Sequence, residues 1–336
     1  MKLTTLLSML RSGQLNQAFA LQKTILEFYR ACWLAAALHE GLLERLAGGP
    51  HSLDSLQQAL GSQQPPARLA AWLQIGVSLG ELGLGSSGYT LKGKLARRLV
   101  QPNADAQRAI LQEIVALHHN ILTETPARLR QGRLFNLDDS DGEIIARSSR
   151  ILEPLVCAAV DEAVPAHGAL ALLEVGCGSG VYIRHACQRN PQLTALGLEL
   201  QPPVAELARR NLAAWGLENR VQVETGDIRS FTPPQPFDLL TLHNNIYYFP
   251  EAEWPALLAQ LKGLLRPGGR LLLTTSCQGH NAATMMLNLW GQMTAGCGPL
   301  PEAQAFAALL RQAGFSQVQA KSLLPGQSFY GFLAEA

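Results

Sequence analysis

Apolar side chains recur at helical spacing through the first half of the chain and gather into short runs in the second. Residues 16–46 carry the helical pattern and end at Gly48-Gly49-Pro50, a stop signal. Ser52 then offers an N-cap for a helix over Leu53–Leu60. GSQQPP makes a turn, and a further helix is expected over Ala67–Leu82. LGLGSSGYTLKG follows, where a Gly/Ser turn leads into Tyr89, Thr90 and Leu91 and predicts a short β-wing. A long helix is expected over 104–131, an acidic turn over 136–143, and a bridging helical segment after that.

From Leu170 the pattern becomes strand–helix alternation. LALLEV, TALGLEL, VQVETGD, FDLLTL and RLLLTT read as strands, and SQVQAKSLL and SFYGFLAE close the chain with two more. Helices fall between them, from about Val181, over PPVAELARRNLAAWG, and over EAEWPALLAQLKGLL up to Arg266-Pro267-Gly268-Gly269. A helical insertion at about 281–295 and AQAFAALLRQAGF complete the set. This alternation predicts an α/β domain, a doubly wound Rossmann-like seven-stranded sheet with helices on both faces. The expected organisation is a mostly helical domain over 1–103, a helical linker and cavity wall over 104–164, and the α/β domain over 165–336.

Helix, helix, turn, helix and wing in the first domain suggest a winged-helix fold. Its presumptive recognition helix, PPARLAAWLQIGVSLGEL, has one Arg and no Lys and is apolar on most faces. That composition cannot supply the phosphate contacts of DNA binding, so burial in an oligomer interface is expected. Charge agrees: the net value is only +1, and neither half holds a concentrated basic field. Hydrophobic residues make up 47% and charged residues 16%, which is ample for two cores.

The six cysteines form no CxxC pair, and no His spacing completes a metal site. His118 and His119 point in different directions on a helix, so no metal is expected there. The opening MKLTTLLSML imitates a secretory leader, but Arg11 interrupts it and no cleavage site follows. No run reaches the ~20 apolar residues of a bilayer span. A cytoplasmic protein, with no membrane and no nucleic acid among its partners, is the expectation.

The chemistry is concentrated in LLEVGCGSGVYI, residues 172–183. Gly176, Gly178 and Gly180 turn the chain from strand to helix, with Glu174 two positions ahead of the first glycine. Dinucleotide loops usually run GxGxxG to seat a pyrophosphate. A carboxylate beside GxGxG points instead to a ligand with a cationic amine. Glu199 ends the second strand, where a carboxylate can accept both hydroxyls of a ribose. Asp227 ends the third strand, where it can accept an adenine amine, and the fourth runs into His243-Asn244-Asn245.

This ordered set, with RPGGRLLL, resembles the class I S-adenosylmethionine (SAM)-dependent methyltransferases over about residues 165–336. The resemblance implies SAM as cofactor, held by Glu174, Gly176, Gly178, Gly180, Glu199, Leu200, Asp227, Ile228 and Asn244. LAAALHEGLLERLAGGPHSLDSLQQALG…LGELGLGSSGYTLKG resembles the winged-helix dimerisation domain of small-molecule O-methyltransferases. It implies a homodimer whose N-terminal helices wall a substrate cavity.

In that family a His after the fourth strand, in an LHDW motif, is the general base, and His243 falls on its position. LHNNIYYF departs from the motif after the His, so a cleft-lining role for His243 stands beside the base role. Tyr247 and Tyr248 are candidate catalytic aromatics beside a sulfonium, since aromatic faces attract a cation by roughly 0.5–2 kcal/mol. Tyr182 and Arg147 are candidate substrate contacts. The expected reaction is methyl transfer to a small secondary metabolite. A non-methylating cyclisation of SAM to azetidine-2-carboxylate, with release of methylthioadenosine, is the alternative that YYF raises.

Overall fold

The structure is a computed structural model that describes residues 11–336, and the leader-like MKLTTLLSML lies outside them. The described chain divides into two compact units, one ending at Ala116 and one covering Leu117–Ala336.

In the first unit the helix expected over 16–46 is two, α1 (Gln14–His39) and α2 (Leu42–Ala47). Gly41 separates them at φ 68°, a left-handed conformation that glycine adopts without steric cost. Helix α3 (Leu53–Ala59) starts where Ser52 accepts a hydrogen bond from Ser55 N, the expected cap. Helix α4 (Pro66–Ser78) stops short of the expected Leu82, because Gly80 turns left-handed and Leu82 enters a strand. Strands β1 (Leu82–Gly85) and β2 (Gly88–Leu91) pair antiparallel as the wing-like hairpin. Helix α5 (Lys94–Leu99) is short and was not legible in the sequence.

Trp33, Leu34, Leu42, Leu43, Leu56 and Leu73 centre this unit's core. Trp33 of α1 lies so close to α4 that a Cβ on Gly76 would sit 2.3 Å from its ring. Gly76→Ala should therefore cost about 1–3 kcal/mol by overpacking, read as a lower midpoint in a denaturant titration.

The helix expected over 104–131 is interrupted. Helix α6 (Asp105–Glu113) passes through one π-type turn at Ile114–His118 into α7 (His119–Gln131). In the second unit the acidic segment after α7 is a short 3₁₀ turn. Its Asp141 caps α8 (Gly142–Ser148) by accepting from Glu143 N and Ile144 N. Helix α9 (Glu153–Ala163) leads to the sheet.

Seven strands run in the order β5-β4-β3-β6-β7-β9-β8. Strands β3 (Leu170–Val175), β4 (Leu193–Glu199), β5 (Val221–Thr225), β6 (Phe237–His243) and β7 (Leu265–Ser276) are parallel. Strands β8 (Ser316–Ser322) and β9 (Phe329–Glu335) join antiparallel. Helices α10 (Val181–Arg189), α11 (Pro202–Ala214), α12 (Trp254–Gly263), α13 (Ala282–Met293) and α14 (Ala303–Gln312) complete the α/β order. Helix α12 stops at Gly263, just ahead of Arg266-Pro267-Gly268-Gly269. That stretch is the irregular start of β7, and the pairing with β6 shifts register beside it.

Two apolar clusters, one led by Leu173, Leu240 and Phe332 and the other by Leu172, Ile183 and Leu239, bury alternate residues of the strands. Strand β3 has β4 on one side and β6 on the other, so the connections diverge at its carboxyl end. Such a switch point opens a crevice in a doubly wound sheet.

Candidate active site

The crevice is built from the carboxyl ends of β3, β4, β5 and β6 and roofed by α8. Its empty space is about 990 Å³, open solvent included. Of the residues singled out in the sequence, Gly176, Gly178, Glu199, Leu200, Asp227, Ile228, His243, Asn244, Tyr247 and Tyr248 line it, whereas Glu174, Gly180 and Tyr182 do not. Ile145, Ala146 and Ser149 of the segment before the sheet line the opposite wall. Arg147 is half-buried on the same stretch but is not among the lining residues.

Gly176, Gly178 and Gly180 all take positive φ, at 66°, 54° and 76°. The turn is braced from β4: Gly176 N and Cys177 N both donate to Leu198 O, and Gly178 N donates to Glu199 Oε2 at 3.0 Å. A Cβ on Gly176 would meet the Asn245 amide at 2.5 Å, whereas one on Gly178 would meet only Ala146, at 3.8 Å. Asn245 Nδ2 in turn donates to Val175 O. Asn244 has φ 54°, an uncommon value that Asn tolerates better than most residues, and its N–H donates to Thr274 O.

Register sets which side chains share a face. Glu174 pairs with Thr241, and His243 pairs with Thr274, so by strand alternation Glu174, Thr241, His243 and Thr274 form one polar row. Glu174 is 1% exposed. Its Oε2 accepts from Thr241 Oγ1 at 3.3 Å, and its Oε1 has no partner. Burial raises its pKa to about 8, so an unliganded carboxyl here is largely protonated at neutral pH. His243 is 7% exposed, with Nδ1 2.8 Å from Thr274 Oγ1 and Nε2 unpartnered. Burial drops its pKa to about 3, which keeps it neutral. Tyr182 sets its ring edge-on to His243 at 4.8 Å, and its buried hydroxyl has no partner. Burial pushes that phenol above its ordinary range.

At the other end, burial raises the pKa of Glu199, whose Oε1 accepts from Gln201 N. Asp227 is instead held below the usual carboxylate range by hydrogen bonds from Arg229, whose Nη2 lies 2.6 Å from Oδ2. Tyr247 and Tyr248 stack at 5.3 Å, and Trp290 of α13 stands edge-on to both.

Sequence reasoning expected a cavity wall within 104–164, where α8 lies, but missed Thr241, Thr274 and Trp290. The two threonines carried a usable signal, since each follows a run of leucines within its strand. Trp290, a core residue behind the two tyrosines, and Ala146, which lines the crevice, carried none. Among the described residues, no group of His, Cys, Asp and Glu could hold a metal ion.

The unpartnered oxygen of Glu174 beneath an open glycine turn suits a cationic amine, and Glu199 suits a diol, so the residues present fit SAM. Residues 173–271 match the methyltransferase-domain family. The chain is 24% identical over 312 residues to the 3-hydroxy-5-methyl-1-naphthoate 3-O-methyltransferase of Streptomyces sahachiroi, covering 85% of this chain and 86% of that one. Its fold matches the mitomycin 7-O-methyltransferase at TM-score 0.77 and 20% identity, covering 97% and 100% of the two chains. It also matches human N-acetylserotonin methyltransferase in complex with SAM, at TM-score 0.72 and 18% identity, covering 95% and 97%. Residues 173–271 thus carry a methyltransferase domain, and the fold around it is that of the SAM-dependent methyltransferases. The naphthoate and mitomycin enzymes it resembles are O-methyltransferases by name.

Proposed function

We propose that the chain transfers the methyl group of SAM to a hydroxyl of a small secondary metabolite. The observation that carries this reading is the buried, half-partnered carboxylate of Glu174 under the glycine turn, with Glu199 one strand away. When bound, SAM supplies an electrophilic methyl group on a sulfonium. In this reading Glu174 takes the ammonium of the cofactor's amino-acid end and Glu199 the ribose. Ile228 and Leu200 flank the adenine, with Asp227 near its amine.

Tyr247 and Tyr248, backed by Trp290, give the acceptor and the sulfonium an aromatic wall that excludes water. Transfer is then governed by alignment of the two reactants, which can supply several kcal/mol of the barrier. A base role for His243, as the resemblance implies, requires a lone pair on Nε2 facing the acceptor. Tyr182 and Arg147 are proposed to help orient the substrate.

Residues 1–103 act as a winged-helix-like dimerisation domain, and 104–164 as linker and cavity wall. A homodimer is supported by the exposed Phe19, Leu21, Phe28 and Tyr29 of α1, an apolar surface that monomers rarely leave open. A reducing, cytoplasmic setting is supported by the six cysteines, all of them free.

Incubation with SAM and a panel of phenolic and enolic acceptors tests the reaction. S-adenosylhomocysteine formed only when an acceptor is present is the expected product. Methylthioadenosine formed from SAM alone would overturn methyl transfer in favour of cyclisation.

A further inference from the structure

His243 and Thr274 stand at one level of the adjacent strands β6 and β7, both buried, and their side chains meet at 2.8 Å. Thr274 Oγ1 has no second hydrogen-bond partner among the described residues. A hydroxyl carries one hydrogen, and a buried hydroxyl hydrogen without an acceptor is costly. If Nδ1–H donated to Thr274, both the hydroxyl hydrogen and the Nε2 lone pair would be left over. If Thr274 donates to Nδ1, the imidazole hydrogen sits on Nε2 and only that one group is left over. The second arrangement leaves less unsatisfied.

A general base needs the reverse, with Nδ1–H held by an acceptor and a lone pair on Nε2. Glu174, the carboxylate on the same face, is turned to Thr241 through Oε2 and leaves Oε1 unpartnered. An unpartnered carboxylate oxygen and an unpartnered N–H in one polar row are the complement of an ammonium beside a carboxylate. An α-amino-acid end has that form. The edge of Tyr182 packs on the imidazole and restricts its rotation.

We infer that Thr274 locks His243 in the Nε2–H tautomer, and that His243 donates a hydrogen bond to the carboxylate of the cofactor's amino-acid end instead of taking a proton from the acceptor. The inference rests on the SAM reading and reassigns one residue within it. Thr274 is then a positioning residue, acting only through His243.

Two measurements on the full chain test it. The first is nitrogen NMR of histidine-labelled protein saturated with S-adenosylhomocysteine, which distinguishes a protonated Nε2 from a protonated Nδ1. The second is calorimetry with S-adenosylhomocysteine and with its decarboxylated analogue, on the wild type, His243→Ala, Thr274→Val and Thr274→Ser. The expected results are a hydrogen on Nε2 and a preference of about tenfold or more for the carboxylate-bearing ligand. That preference should shrink towards unity in His243→Ala and Thr274→Val and return in Thr274→Ser. A hydrogen on Nδ1, or an unchanged preference in His243→Ala, overturns the inference while SAM binding stands. A wild type that binds neither nucleoside overturns the SAM reading as well.

Discussion

Glu174→Gln should weaken binding of S-adenosylhomocysteine by about 10- to 100-fold while making the unliganded protein more stable at pH 8–9. The two effects have one origin. The carboxylate is buried, with one oxygen accepting from Thr241 and the other from nothing. Its charge is therefore unfavourable until a cation arrives. A hydrogen bond to a charged partner contributes about 1.5–3 kcal/mol, which sets the loss on removing the anion.

The sign of the pH dependence follows from the raised pKa. The folded protein holds the Glu174 proton up to about pH 8, well above the ordinary carboxylate range. Folding thus binds a proton in that interval, and this group's contribution to stability falls as pH rises through it. Ligand binding needs the ionised form, so affinity should climb over the same interval and level off above about pH 8. Glu174→Gln should flatten both profiles. Calorimetry and thermal melts at half-unit pH steps read both, and an affinity for S-adenosylhomocysteine that ignores pH between 6 and 8.5 would contradict the assignment.

Gly178→Leu should abolish detectable nucleoside binding at a stability cost of only about 1–2 kcal/mol. That cost is the penalty of a left-handed conformation for a residue with a side chain. The position differs from Gly176, where an added Cβ would run into Asn245 and disturb the strand end itself. At Gly178 the nearest neighbour is Ala146 on the far wall, so a longer side chain projects into the space the ligand needs. Equilibrium dialysis with labelled SAM, paired with a denaturant melt, separates lost binding from lost fold. Retained binding would remove Gly178 from the cofactor cleft.

The α/β half was legible because each of its signals is local. LALLEV, FDLLTL and the glycine turn state strand, strand and switch point without reference to the rest of the chain. The cleft residues were legible for the same reason, since each sits at the carboxyl end of a strand already placed. Where the reading slipped, distant packing or backbone geometry decided. Gly41 and Gly80 end helices that the apolar period alone would have continued. Arg266-Pro267-Gly268-Gly269 has the composition of a stop, and α12 does end at Gly263 just before it, but the stretch lies within β7, between Leu265 and Arg270, which pair with β6. The side-chain row of Thr241 and Thr274 depends on register between strands far apart in sequence. No single stretch of sequence displays that register.

The bracing of the glycine turn has a consequence for how a ligand is received. Leu198 O fixes two of its amides and Glu199 fixes a third, so the loop's shape is set when β4 pairs with β3. An incoming nucleoside then meets a cradle that is preorganised and loses little conformational entropy on closing around it. Recognition and the integrity of the sheet are thereby coupled. Loosening β4 anywhere along its length would be felt first as faster dissociation of the nucleoside, before any change in the chain's overall shape.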